Sequence, residues 1–397
     1  MDFNFTPEEE EFRKELREFF KKEITPEWRK LGYTYWEEDD ESWAITEAFN
    51  KKLGEKGYLG LTLPKEFGGL GKSHFEQVVF EEELVRDGRA PTWIEKNITV
   101  DWVTPTILMF GSEEQKKKYP PLALKGEINF CLGYSEPDSG SDLVSMKTTA
   151  TEDGEHYVIN GQKTWTTVGH RSDYCWLAAR TDPDAPPHKG ISMFIVDMKT
   201  PGVTCRPVYN MLQHHSFNEV FFDDVRVPKE NLVGVKNKGW YQMMVALTFE
   251  RGNHGFPAHL KQLLMELVEY CKTTKRNGEY LSTDPVIRKS LAKLAVDIET
   301  FKLLNYRITC LQDKDKSVTH QTSEARVFGI GVWREMARVS TFILGPHSLV
   351  DRGSKCARLN GTTARWYLNA PSMSVGGGTT EIQTNIIAQV GLGLPIK

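Results

Sequence analysis

Between Ile128 and Pro228 the chain abandons helical spacing and alternates, with turn signals recurring throughout. A period of two belongs to strands and a period near 3.6 to helices, so one segment cannot satisfy both. On either side the spacing is helical. Thr6-Pro7-Glu8-Glu9 is a capping box with proline at the first helical position, and Phe12, Leu16, Phe19 and Phe20 follow at helical intervals. Ser112 and Gln115 frame a second capping box, and further helical runs end near Gly57 and span residues 75–84. After Gly239, the set Leu263, Leu264, Leu267, Leu291, Leu294, Val296, Ile298, Leu303 and Leu304 predicts long helices packed as a bundle, broken between Gly278 and Pro285. The expected architecture is α+β: a helical domain over 1–126, a small β-sheet or barrel domain over 127–235 and a helical bundle over 236–397. Within the β segment, Asn160-Gly161 between two alternating runs predicts a hairpin with a type I′ turn, and Asp153-Gly154 a second turn. Residues 174–179, 191–197 and 219–222 are expected as strands, with Pro228 closing the section.

At 397 residues the chain exceeds what one hydrophobic core usually serves, so two or three domains are expected. A net charge of −4 gives no electrostatic reason for a nucleic acid or anionic membrane partner. No apolar stretch approaches the length of a membrane span, and no basic, then apolar, secretory leader is visible. The six cysteines are scattered without a CxxC pair, which predicts free thiols in a reducing, cytoplasmic compartment and no metal site.

Three glycine- and hydroxyl-rich segments carry the chemistry. Gly133-Tyr134-Ser135-Glu136-Pro137-Asp138-Ser139-Gly140-Ser141-Asp142 allows close backbone approach and offers donors to a ligand. Gly161-Gln162-Lys163-Thr164-Trp165-Thr166-Thr167 follows shortly after. Gly376-Gly377-Gly378-Thr379-Thr380-Glu381-Ile382-Gln383 forms a glycine-rich turn far downstream, opening a helical run. A lone segment of this kind reads as an ordinary loop, and Trp165 alone as a core aromatic. In this order, and together with Asp224-Val225-Arg226-Val227-Pro228, they resemble the acyl-CoA dehydrogenase family, with the likeness running from Phe5 to the end.

The resemblance implies a helical, β, helical fold ending in a four-helix bundle, with FAD as cofactor and an acyl-CoA thioester as substrate. The reaction it implies is α,β-dehydrogenation to the 2-enoyl-CoA, the β-hydride passing to flavin N5. It also implies lipid metabolism and electron-transfer flavoprotein as acceptor, and the apolar helical faces of the carboxy-terminal block predict a homotetramer with one FAD per chain. By position, Tyr134, Ser135 and Gly140 lie in the flavin-binding signature, and Ser141 between cofactor and thioester. Trp165 would flank the isoalloxazine, Thr167 would bond near N5, and Thr379 and Glu381 would meet the adenosine part.

Removing a weakly acidic α-proton needs a carboxylate within hydrogen-bond reach of Cα. Most members of the family carry that glutamate immediately before the Gly-Thr of the last motif, where this chain has Gly377. A minority resembling isovaleryl-CoA dehydrogenase place it on the first long helix of the last domain, where this chain reads Leu247-Thr248-Phe249-Glu250-Arg251-Gly252. Glu250 is therefore the candidate base, against the simpler reading of a surface partner for an arginine. Gly377 retains a backbone N–H able to polarise the thioester carbonyl. Arg251 is a candidate for holding the base's helix or a CoA phosphate. The resemblance places the acyl pocket partly in the helix carrying Trp93, Glu95, Asn97, Thr99, Asp101 and Trp102, a lining that favours a bulky, cyclic or substituted acyl group over a plain chain. Two positions depart from the family pattern: the second signature is reduced to Ile343-Leu344-Gly345-Pro346, and Arg276 is displaced from the place of an arginine that reaches FAD in a neighbouring subunit. Alternatives are a desulfinase-like elimination on a CoA thioester, an oxidase, and a subunit of a heteromeric dehydrogenase.

Overall fold

The computed structural model describes residues 4–26, 28, 39–86, 96–251, 255–314 and 316–395, with the side chains of 248–251 outside that set. The helices are α1 (Pro7–Glu23), α2 (Asp40–Glu55), α3 (His74–Val85), α4 (Thr104–Phe110) and α5 (Glu113–Leu124). A π-helical turn, Asn97–Val103, runs directly into α4. Eight strands follow: β1 (Phe130–Gly133), β2 (Thr149–Asp153), β3 (His156–Lys163), β4 (Tyr174–Arg180), β5 (Ile191–Asp197), β6 (Val203–Tyr209), β7 (His215–Pro228) and β8 (Leu232–Val233). Then come α6 (Gly239–Arg251), α7 (Gly255–Thr273), the short hairpin β9 (Lys275–Arg276) and β10 (Glu279–Tyr280), α8 (Pro285–Gln312), α9 (Thr319–Leu344), α10 (Thr362–Asn369) and α11 (Thr380–Ile386). This is the helical, β, helical order expected. Contacts gather the chain into two compact units: Met1–Thr34, Ser73–Pro91 and Arg251–Lys397 in one, and Tyr35–Lys72 with Thr92–Glu250 in the other.

The second unit contains the sheet, in the order β6-β7-β3-β2-β4-β5-β8, with β1 parallel to β4. Its inward residues form a continuous apolar layer that includes Tyr157, Ile159, Leu177, Phe194 and Val220. The Asp153-Gly154 turn is present: Asp153 faces His156, and Gly154 has φ +58°. The type I′ turn expected at Asn160-Gly161 is absent. β3 runs straight through, and two residues of β7, Asp223 and Asp224, lie opposite Asn160 alone. That is a β-bulge, and Asp224 takes the left-handed conformation it needs at φ +47°. The Asn160 and Asp224 side chains and backbone bond reciprocally at 2.9 Å, using the polar groups that a turn would have used. A Cβ on Gly161 would sit 2.4 Å from Thr148 Oγ1, so packing against the neighbouring strand explains the glycine. Gln115, the closing residue of the second capping box, donates to the carbonyls of Glu230 and Leu232 at 2.7 and 3.1 Å, tying α5 to the strand connection.

The first unit is helical. Both ends of the chain contribute: α1 and α3 supply Phe12, Leu16, Val79 and Phe80, and the long helices supply Leu260, Leu264, Leu294, Ile298, Phe301, Val332 and Met336. Arg13 of α1 bonds Glu82 and Glu83 of α3 at 2.9 and 3.1 Å, and the Tyr306 hydroxyl of α8 donates to Glu82 at 2.6 Å. Not every leucine and valine expected in the bundle core is buried. Val296 is 65% exposed and Leu303 46%, seven residues apart on one outward face of α8. Among the described residues no helix is long and apolar enough to cross a membrane, no cluster suits a metal ion, and all six cysteines are free.

Candidate active site

The signature loop after β1 is held by a buried ion pair that sequence reasoning missed. Lys163, at the end of β3 and fully buried, places its ammonium 2.8 Å from Glu136 and donates to the Tyr134 carbonyl at 3.0 Å. Glu136 also accepts from the backbone N–H groups of Lys147 and Thr148, so its carboxylate is fully engaged. Reciprocal backbone bonds join Glu136 and Ser139 at 2.9 and 3.0 Å. Arg180 of β4 closes the far end, donating to the carbonyls of Val144, Met146 and Pro187. The clasp leaves Gly140, Ser141 and Asp142 exposed at the tip, and a Cβ on Gly140 would meet nothing within 4 Å. One signal was legible: Lys163 shares odd-numbered, inward parity with Tyr157 and Ile159. A lysine there needs a buried acid as partner.

The same pair aligns the next segment. The Thr164 N–H donates to the Ser135 carbonyl at 2.9 Å, setting the Tyr134-Ser135 loop beside the exit of β3. There Trp165 is 60% exposed, Thr166 and Val168 are buried, and Thr167 is half-buried. Alternation therefore places the Trp165 ring and the Thr167 hydroxyl on the outward side. Phe217 of β7 meets the Trp165 ring edge to face at 5.9 Å between centroids. An exposed indole beside the half-exposed hydroxyls of Ser135 and Thr167 is a surface suited to a flat aromatic ligand with polar edges.

Burial alone would raise the Glu136 carboxyl, but the Lys163 charge and the bonds from Lys147, Lys163 and Thr148 outweigh it and hold the group below the ordinary carboxylate range. A depressed folded value contributes stability that is complete above the unfolded carboxyl value and disappears as pH falls through the folded one. Denaturant midpoints should therefore drop in acid, and Glu136→Gln should flatten that limb while costing stability near neutrality. Unfolding curves of both proteins across the acid range check this; an equally steep acid limb in the variant would contradict it.

In the helical unit, the glycine turn before α11 is built with equal care. Gly377 and Gly378 take φ +66° and +96°, conformations that favour glycine. Gln383, fully buried on α11, donates to the Gly377 carbonyl at 2.9 Å and is itself oriented by Ser323 of α9 at 2.7 Å. Arg326 of α9 bonds the Gly376 carbonyl. The Gly377 N–H makes no hydrogen bond among the described residues, so its donor is available to a ligand. Thr379 is the N-cap of α11, its hydroxyl accepting from Ile382 N at 3.2 Å; Glu381 is exposed in the first turn. Arg276, displaced from the family position, donates to the carbonyl of Ile343, within the reduced second signature. The two departures from the family pattern thus meet, and Arg276 is engaged within its own chain.

The remaining sequence-derived candidates are placed unequally. Trp93 lies outside the described residues. Thr99 is buried in the π-helical turn, its hydroxyl accepting from Phe130 N at 2.9 Å, so that side chain joins the turn to β1. Asp101 pairs with the buried Lys96 at 2.8 Å, and Trp102 packs partly buried on the core of its unit. The wider turn of a π-helix is a frequent companion of functional sites. Glu250 and Arg251 are the last two residues of α6, with side chains outside the described set.

Comparison with known proteins accords with this geometry. Profiles of the acyl-CoA dehydrogenase N-terminal, middle and C-terminal domains match residues 6–127, 131–225 and 237–392. Acyl-CoA dehydrogenase FadE26 of Mycobacterium tuberculosis is 35% identical over 402 residues, covering 100% of this chain and 99% of that protein. A solved steroid acyl-CoA dehydrogenase, Tcur3481-Tcur3483, superposes with a TM-score of 0.89 at 33% identity over 100% of each chain. The ChsE4-ChsE5 complex from Mycobacterium tuberculosis does so with a TM-score of 0.89 at 35% identity, again over 100% of each chain. The chain belongs to the acyl-CoA dehydrogenase family of oxidoreductases.

Proposed function

We propose that this protein dehydrogenates a bulky, polycyclic acyl-CoA, of the size of a steroid thioester, to its 2-enoyl-CoA. The observation that carries the reading is that Gly377 stands where most of the family has its base, with an N–H that makes no hydrogen bond among the described residues, while the sequence has a glutamate at the alternative position on α6. The family generally uses FAD, and the exposed Trp165 with the Ser135 and Thr167 hydroxyls fits an isoalloxazine. Bound FAD would accept the β-hydride. Tyr134, Ser135, Gly140, Trp165 and Thr167 would hold its ring, and Thr379 and Glu381 its adenosine end. Ser141, exposed at the loop tip, would stand between cofactor and thioester. Glu250 takes the α-proton onto its carboxylate, and the Gly377 N–H receives charge developing on the thioester oxygen. By the resemblance, Arg251 would steady the base's helix or a CoA phosphate, and Trp93, Asp101 and Trp102 would line the acyl side, while the Thr99 hydroxyl holds the turn to β1.

The bulk of the acyl group rests on two supports. In the family, a base carried on this helix instead of at the Gly377 position tolerates branched or bulky acyl groups, and relatives of 33–35% identity include a steroid dehydrogenase. A panel of straight-chain, branched and polycyclic acyl-CoAs, ranked by kcat/KM, tests this. Polycyclic thioesters should lead; preference for a short straight chain would overturn the substrate assignment. The proposal includes the three-domain division at residues 126 and 235, a cytoplasmic location and electron-transfer flavoprotein as acceptor. Its assembly is a homotetramer in which the apolar face at Val296 and Leu303 of α8 is covered by another copy. The two-chain composition of the ChsE4-ChsE5 complex favours a second reading, a heteromer. Native mass of the isolated chain separates the two: four copies, or a smaller species that assembles only with a partner.

A further inference from the structure

Trp165 and Val168 both take left-handed φ, +58° and +50°. For a β-branched valine that conformation is strained, and strain of this kind persists only where the surroundings over-determine it. The constraint comes from β7. Thr166 and Asn218 exchange both backbone bonds at 3.0 Å, and Val168 N donates to the Ser216 carbonyl at 3.0 Å. The Asn218 side chain, fully buried, then adds a third link: its Nδ2 donates to the Thr166 carbonyl at 3.0 Å.

Two imidazoles fix that amide. His170 and His215 stack with centroids 3.6 Å apart and planes 14° from parallel. His215 Nε2 lies 2.8 Å from Asn218 Oδ1, and His170 Nδ1 lies 3.2 Å from Asn218 Nδ2. The Thr166 carbonyl can only accept, so the amide nitrogen must face it. It follows that His215 carries its proton on Nε2 and that His170 Nδ1 is a lone-pair acceptor. Burial, then the neighbouring His215 and Arg171, push His170 down to about 4 against the opposing pull of Asn218 and Asp40, which keeps it neutral. Arg171 pairs with Asp40 at 2.9 Å and lies over the Trp43 ring, and Tyr209 of β6 flanks His215.

We infer that Asn218 is a positioning residue. Its amide, oriented by the His170–His215 stack, holds the Thr166–Thr167 peptide so that the Trp165 ring and the Thr167 hydroxyl face the flavin together. The inference rests on the reading that Trp165 and Thr167 meet FAD. Rotating that peptide would move the Thr167 donor and the indole with it, and small misplacements at a reacting centre are costly.

The test uses the purified protein, in its native assembly and loaded with FAD. Asn218→Leu removes both polar groups at similar volume; Asn218→Asp keeps the shape but replaces the amide donors. Each variant is measured for flavin absorption spectrum, flavin reduction potential, and the rate of flavin reduction at saturating substrate. A shifted spectrum and potential, with the reduction rate down about tenfold or more and KM little changed, is the expected result. FAD-loaded variants with wild-type spectrum, potential and rate would overturn the positioning role. If Asn218→Leu does not fold, Asn218→Asp decides on the same readouts, and failure of both to fold would make Asn218 a stability residue and likewise overturn the role. A wild-type protein that takes up no FAD would instead refute the underlying flavin reading.

Discussion

Glu250→Gln should slow flavin reduction by substrate by roughly two to four orders of magnitude, the usual worth of a positioned general base. The change keeps size and hydrogen bonding and removes only the ability to take a proton. Folding and FAD binding should survive, because the change is isosteric and Glu250 is not among the residues that form the clasp around Lys163. Stopped-flow reduction of the FAD-loaded variant, beside its flavin content and unfolding curve, gives both readouts. Glu250→Gln with Gly377→Glu returns the carboxylate to the position most of the family uses, and should restore part of the rate if Cα is reachable from both sides. Gly377 has φ +66°, so a glutamate there is strained and recovery will be incomplete. Near-normal reduction by Glu250→Gln alone would remove Glu250 as the base and move attention to Asp101 and Glu95.

Lys163→Met should cost about 3–5 kcal/mol of stability and most of the flavin. The side chain is fully buried, and its ammonium is the only cation bonded to the Glu136 carboxylate among the described residues. Removing it strands a charge in the interior and frees the Tyr134 carbonyl, so the loop carrying Ser135 and Ser141 loses its anchor. Lys163→Met with Glu136→Leu should regain much of the stability, since a well-packed apolar pair often replaces a buried ion pair without loss. It should not regain FAD affinity, because the Tyr134 carbonyl and the Lys147 and Thr148 N–H groups stay unclamped. Denaturant unfolding and bound-flavin content separate the two effects; a single variant as stable as wild type would show that the pair is not a clasp.

The large divisions of the fold were legible because period and punctuation agreed. The capping boxes at Thr6 and Ser112, the strands expected over 174–179 and 191–197, and Pro228 at the end of β7 stand where local signals put them, the first strand running one residue further to Arg180. Asn160-Gly161 misled because a dipeptide that favours a reversal also suits the residues facing a bulge. Only Asp224, more than sixty positions away in the chain, decides between the two. The outward face of α8 at Val296 and Leu303 was likewise invisible in a list of apolar residues, since burial depends on which neighbours arrive. At the site, the three glycine-rich motifs stood out as segments, but the holding roles of Glu136, Lys163 and Gln383 inside them, and of Asn218 and Arg326 outside them, did not. Each acts by holding a backbone carbonyl or another side chain, for all but Gln383 at long range in the chain, and of the five only Lys163 carried a local signal, its inward parity on β3.

Anaerobic titration of the FAD-loaded protein with a saturated polycyclic acyl-CoA tests the central claim most directly. Dehydrogenation predicts that the oxidised flavin absorbance bleaches in proportion to substrate and that the recovered thioester has lost two hydrogens between Cα and Cβ. Flavin that remains oxidised while the thioester is converted would contradict the account and establish an elimination without net flavin reduction.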